Sequence, residues 1–144
     1  MTADVDVLAK LDASPTLVVV AEGKTGGMNS VYRGFPAVDT TVKVITLALP
    51  YLVYVTSPGY DRDERFSGSV SGRVLDFQLT GVGQSETQAK WILDQARTVL
   101  NRKRLNGSLI KRSDDNQFVR RDDDYTRSGG LPIFFGVDRY SVAV

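Results

Sequence analysis

Residues 50–100 open with Pro50-Tyr-Leu-Val-Tyr-Val-Thr56, pass through the polar run Gly59-Tyr-Asp-Arg-Asp-Glu-Arg-Phe-Ser-Gly68, and resume with Arg73-Val-Leu-Asp-Phe-Gln-Leu-Thr80 before a stretch of helical character that starts at Ser85. The first run is β-branched and aromatic, as strands are. The third alternates: Leu75, Phe77 and Leu79 fall on one face, and Val74, Asp76, Gln78 and Thr80 on the other. Ser85 and Gln88 form a capping box, in which the serine accepts from the third helical amide and the glutamine reaches back. Ala89, Ile92, Leu93, Ala96, Val99 and Leu100 then share one stripe at 100° per residue, the face that must be buried. Arg102, Lys103 and Arg104 follow the last turn, where cations suit the negative end of the helix dipole. The block is therefore a ββα unit with a long polar connection between its strands.

Working outward, Thr2 can cap a short helix ending near Leu11, with Val5, Leu8 and Leu11 on one face and Asp4 and Asp6 in its first turn. Pro15 prevents its continuation. Leu17–Ala21 reads as a short buried strand, 22–30 as a Gly-rich loop, and Val31-Tyr-Arg-Gly-Phe-Pro36 as extended chain. Residues 42–49 are β-prone, and the sequence leaves open whether they join 51–56 in one bent strand. Beyond the helix, Ser108–Lys111 and Gln117–Arg120 flank Ser113-Asp-Asp-Asn116 as a hairpin. A polar loop over 122–130 leads to a final strand over 133–144. The expected fold class is α+β: one domain over residues 1–144, with a small, mostly antiparallel β-sheet packed against an N-terminal helix and a longer central helix.

The chain has 144 residues with no cysteine and no histidine, which removes disulfides, thiolate metal sites and histidine-based catalysis together. The 42% hydrophobic and 24% charged content is that of a globular protein able to hold a core at this length. The amino end, Met1-Thr-Ala-Asp-Val-Asp, is acidic where a signal peptide would be basic. The most apolar run, 45–55, is broken by Pro50 and about half the ~20 residues a bilayer span needs. A protein made and used in a cytoplasm, or in a particle assembled there, is expected. The net charge of +1 is uneven, since 102–121 holds seven Lys/Arg against Asp114 and Asp115, leaving that segment at +5 and the remainder at −4. A solvated surface accounts for this segment more readily than grip on nucleic acid.

Candidate chemistry is sparse. Gly23-Lys24-Thr25 resembles the end of a P-loop, but Val18 stands where the motif needs glycine and no helix start follows. Asp122-Asp-Asp124 are consecutive, so an extended chain points them to opposite faces rather than at one cation. Asp76 has no second acid placed to work with it. No catalytic residue, metal ligand or cofactor is expected. Two features point instead to protein contacts. Trp91 lies about 150° from the apolar stripe of its helix, among Asp94, Gln95 and Thr98, so it needs either a covering loop such as 22–30 or a partner. The connection Pro58–Gly68 carries Asp61, Arg62, Asp63, Glu64 and Arg65 between the anchors Tyr60 and Phe66. That composition suits a disordered solvent loop as cheaply as ordering by a neighbouring subunit, with the length of the loop favouring the subunit contact.

The order of elements and several phrases resemble the tail terminator (tail completion) family of long-tailed bacteriophages: Val31-Tyr-Arg-Gly-Phe-Pro36, Pro50-Tyr-Leu-Val-Tyr54, the strand Arg73–Thr80 with the helix Ala89–Leu100, and the closing Asp138–Val144. The segment 18–30 departs from compact members. The resemblance implies a structural subunit that forms a ring, hexameric in this family, at the head-proximal end of the tail tube. Such a ring stops polymerisation of the tube protein and offers a docking surface to the head connector, while genomic DNA passes through the lumen without specific binding. It implies a place in the virion, with no membrane partner and no enzymatic activity. Another head–tail joining or minor tail subunit is the nearest alternative. A small-molecule binding module, or an enzyme working through carboxylate or lysine, is the more distant one.

Overall fold

A computed structural model of the chain describes residues 3–21, 24–34, 36, 43–56, 60–61, 73–105, 107–112 and 118–143. In chain order the elements are α1 (Ala3–Asp12), β1 (Val18–Val19), β2 (Ser30–Arg33), β3 (Val44–Ile45), β4 (Tyr51–Thr56), β5 (Tyr60–Asp61), β6 (Arg73–Gly83), α2 (Glu86–Leu100), β7 (Arg104–Leu105), β8 (Ser108–Leu109), β9 (Lys111–Arg112), β10 (Arg120–Arg127) and β11 (Pro132–Ala143). No helix among the described residues is long and apolar enough to cross a membrane.

The centre of the molecule is the antiparallel pair β6–β11, in register from Phe134 opposite Gly83 to Ala143 opposite Val74. The sheet spreads from this pair in the order β1-β2-β4-β6-β11-β10-β3. β5 extends the β4 side of β6, and β9 takes the β10 side of β11 farther along. The pairs β1–β2, β2–β4 and β3–β10 are parallel. β7 and β8 form a separate small hairpin.

Alternation along the strands splits the apolar residues between two faces. Leu52, Tyr54, Leu75, Phe77, Leu79, Tyr140 and Val142 face the helices and join Val7 and Leu11 of α1 and Ile92, Leu93, Ala96 and Leu100 of α2. On this face the Phe77 ring stacks on Tyr140 at 5.2 Å and tilts against Tyr54 at 5.5 Å. The opposite face buries Tyr32, Tyr51, Val53, Val82 and Ile133, and the curled chain supplies Ile45 and Leu49 to cover them. Tyr32 and Tyr51 meet edge to face at 5.6 Å.

Helix α2 lies close to the sheet because two residues of β6 have no side chain. A Cβ on Gly81 would stand 2.7 Å from Leu93 Cγ, and one on Gly83 2.7 Å from the Ala89 backbone nitrogen. The helix start follows its sequence signature: Ser85 Oγ accepts from the Gln88 amide at 3.1 Å. The Gln88 side chain also reaches back, but it accepts from the Gln84 amide at 2.6 Å, one residue earlier than a capping box requires.

The fold is a correction of the expected class. It is mostly β, built on a large, curled, mixed sheet, in place of the expected small, mostly antiparallel sheet packed against an N-terminal helix and a longer central helix. Two local readings account for the difference. Residues 122–127, expected as the start of a polar loop over 122–130, belong to strand β10, held between β11 and β3. Among the described residues, Ser108–Lys111 follows other partners than the expected hairpin with 117–120: β8 turns back on β7, and β9 joins β11. The choice left open by the sequence between one bent strand and two falls to two, since β3 and β4 lie at different places in the sheet. Parallel pairing unites distant segments and leaves no mark on local periodicity. β10, Arg-Arg-Asp-Asp-Asp-Tyr-Thr-Arg, holds its place through backbone pairing with β11 and, at Thr126 and Arg127, with β3, despite poor strand propensity. Residues 62–72, 113–117 and the proposed cap Thr2 lie outside the described residues.

Two measurements check this packing. Gly83→Ala drives a methyl into the backbone of the first α2 turn, so unfolding free energy by urea titration should fall by about 1–3 kcal/mol. Burial pushes the Tyr51 hydroxyl up to about 12 from its ordinary 10, with Tyr32 and Asp122 adding to the shift. Burial, with the charge of Asp138, likewise drives Tyr140 far up, against the opposing pull of Arg97 and Arg112. Below pH 10 folded and unfolded chains both keep these protons; above it the unfolded chain loses them first. Stability should therefore hold up to pH 10 and fall between pH 10 and about 12, by about 3 kcal/mol from Tyr51 alone. Tyrosinate absorbance should lag at those two sites until the chain unfolds.

Candidate functional site

The α2 face turned away from the sheet carries Trp91, 40% exposed. Its polar neighbours are committed locally. Asp94 pairs with Arg97 at 3.0 Å, Thr98 Oγ1 donates to the Asp94 carbonyl at 2.9 Å, and Gln95 Oε1 accepts from Thr16 Oγ1 at 3.0 Å. The segment considered as its cover goes elsewhere: the Gly26 amide donates to the Tyr32 hydroxyl at 3.1 Å, and Tyr32 belongs to the opposite face of the sheet. Trp91 thus remains a large apolar surface ringed by polar groups that are already engaged.

The second half of the expected interface lies apart from it. Tyr60 and Asp61 form β5, paired with Val74 and Arg73 at the start of β6, instead of belonging to the loop. Ile92, next to Trp91, packs over Gly81. The two regions are therefore separated along β6 by seven residues, roughly 20 Å of strand. Arg62, Asp63, Glu64, Arg65 and Phe66 lie outside the described residues.

The strongest electrostatic feature is one the sequence reading passed over. Asp138 sits on β11 between Gly136 and Tyr140, on the face toward the helices, and is 0% exposed. Its Oδ2 accepts from Arg97 Nη2 at 3.1 Å, and its Oδ1 from Arg112 Nη2 at 3.0 Å and Nε at 3.2 Å. One carboxylate thereby ties α2, β9 and β11 together. Burial pulls the Arg97 guanidinium down, but the hydrogen bond and charge of Asp138, with the charge of Asp94, outweigh it and hold it above its ordinary range. The available signal was positional: a charged residue at an inward place in an alternating strand requires a buried counter-charge. Which arginines supply it depends on the tertiary arrangement.

Two surface grooves accompany these features. One, of about 320 Å³, runs between α2 and β11 past Lys90, Arg97, Arg112 and Asp138 and is flanked by Phe118, itself 79% exposed. The other, about 500 Å³, lies at an end of the sheet beside Val55, Asp76, Gln78 and Arg139. Asp76 occupies the polar face of β6, as its alternation required. Asp122 is used locally: its Oδ1 accepts from the amides of Asp124 and Tyr125 at 2.9 and 3.1 Å where the β10 register shifts. Lys24 and Thr25 are exposed and lie in no helix. Among the described residues no group of three or more His, Cys, Asp or Glu could hold a metal ion. No protein-family model matches the chain, and no curated protein matches it in sequence.

Removing Asp138 separates its structural role from that of surface charge. Asp138→Ala leaves Arg97 and Arg112 facing each other without their shared carboxylate, and should cost about 3–5 kcal/mol in urea unfolding. Asp94→Ala breaks an exposed pair and should stay within about 0.5 kcal/mol of the parent chain.

Proposed function

We propose that this chain is a virion structural subunit of the tail-terminator type, acting by shape and assembly rather than by chemistry. The observation that carries the reading is Trp91, an exposed tryptophan on a polar helix face whose neighbours are already hydrogen-bonded. A cyclic ring needs heterologous contacts, in which two unlike patches of one subunit meet. The surface offers such a set: Val18 (56% exposed) on β1 at one end of the sheet, Phe118 beside the groove between α2 and β11, and Trp91 on the outer face of α2. Tyr60 and Asp61, with the adjoining 62–66, are candidates for a further contact.

In this reading one face of a homo-oligomeric ring, hexameric by the family resemblance, complements the last ring of the tail tube. The other face cannot accept another tube subunit, so growth stops there and the head connector docks instead. Genomic DNA passes through the lumen without base-specific recognition. The sheet is larger and more mixed than the resemblance implied, and the proposed function rests on what its surface leaves uncovered.

Trp91 is the sole tryptophan, which makes the test direct. Mixed with isolated tail tubes, the chain should bind one tube end by electron microscopy, with a blue shift of tryptophan emission. Trp91→Ala should weaken that association by at least about 2 kcal/mol, the size expected of an interface anchor. A chain that stays monomeric and ignores tubes would refute the reading. A ring found at another virion joint would assign it to a different head–tail component.

A further inference from the structure

The basic excess over 102–112 is not absorbed by the ring reading, and the fold concentrates it. After α2 ends, the chain reverses through β7 and β8. The Arg102 amide donates to the Ile110 carbonyl at 2.9 Å, and the Ile110 amide donates to the Lys103 carbonyl at 2.8 Å. This clamp brings Arg102 and Lys103 beside Lys111, with all three side chains exposed. Arg104 Nη1 spans the turn to the Gly107 carbonyl at 2.7 Å. The base is rigid, because Leu100, Leu105 and Ile110 are buried in the main core.

Two observations set this tip apart from an ordinary charged surface. Among the described residues Arg102, Lys103 and Lys111 make no ion pair, whereas Asp94 on the surface is paired with Arg97. Arg102 also holds φ at 59°, the left-handed region that glycine or asparagine adopts at helix ends with least strain. A cation at the helix C-terminus suits the dipole, but that benefit does not require an arginine at the one position where its backbone is strained.

We propose that the tip formed by Arg102, Lys103 and Lys111 is a sequence-independent contact for the phosphate backbone of double-stranded DNA. Clustered, exposed Lys and Arg match the closely spaced phosphates of a duplex. Protein interfaces, by contrast, are poor in lysine and have an apolar centre. None of the exposed large apolar residues lies on 101–112. Those residues include no aromatic side chain, so the tip has no platform on which unpaired bases could stack. The contact goes beyond the ring reading and does not depend on it. Three cations per subunit give a weak, salt-sensitive contact that a ring would multiply without retaining DNA at one sequence.

Fluorescence anisotropy with a labelled mixed-sequence duplex, titrated with the full-length chain, tests the proposal. Binding should weaken with salt along a log–log slope of about −3, as three neutralised phosphates require. The variant Arg102→Gly/Lys103→Ser/Lys111→Ser should lose most of that slope and bind on the order of tenfold or more weakly at low salt. Its melting temperature and circular dichroism should match the parent, because glycine relieves the left-handed backbone at 102. If the triple variant does not fold, Lys103→Ser/Lys111→Ser should show an intermediate loss. The proposal is overturned if the parent ignores the duplex at low salt, if the folded variant binds as well as the parent, or if an oligoglutamate peptide is captured in preference to DNA, which would mark an acidic protein as the partner. The readout uses the free chain, so tube capping by the same variant reports on the ring reading separately.

Discussion

The register between β6 and β11 is the constraint on which the rest depends. Ten residue pairs run from Phe134 opposite Gly83 to Ala143 opposite Val74. That alignment puts Gly81 beside Gly136 and so makes a flat floor for α2. It also sets Leu79 beside Asp138 and Phe77 beside Tyr140 on the helix face. A slip of one residue would turn Asp138 toward the other side of the sheet, and would take Tyr140 and Val142 out of the helix-side core and Ile133 out of the opposite one. Arg97 and Arg112 would lose their carboxylate in the same step. The apolar pattern and the buried ion cluster therefore specify one register by independent means.

A buried carboxylate with two arginines is weak as a source of net stability, since desolvation offsets most of the Coulombic attraction. Its consequence here is geometric. It links the middle of α2 to β9, whose position in turn anchors the β7–β8 reversal. The exposed features follow from this rigid base: Trp91 rides on the outer surface of α2, Phe118 flanks the groove beside it, and the basic tip closes the helix C-terminus. Interaction surfaces mounted on fixed elements lose less entropy on binding than mobile ones.

Parts of this were legible from local pattern. The strand 73–80, the stripe of α2 and its cap at Ser85 each carry their own periodicity, so they form where expected. The final strand starts one residue before its expected position and reaches at least Ala143. β10 was illegible for a definite reason: β3 pairs with it only at Thr126 and Arg127, its residues show no apolar alternation, and three consecutive aspartates suggest a loop. The parallel pairs were equally hidden, because each joins segments whose own sequences say nothing about direction. Asp138 stood in view as a charge within an apolar strand, but its partners lie 41 and 26 residues away in sequence.

The sequence by itself determined where apolar stripes form, where α2 begins, that histidine and cysteine chemistry is excluded, and that Trp91 falls on the wrong side of its helix. These are consequences of composition and of the 3.6- and 2-residue periods, which act over a few neighbours. Only the tertiary structure decided the order and direction of the strands, the burial of Asp138 between two arginines, and the gathering of Arg102, Lys103 and Lys111 at one tip. Those depend on which distant segments meet, and backbone hydrogen bonds accept many partners until packing of the whole core selects among them.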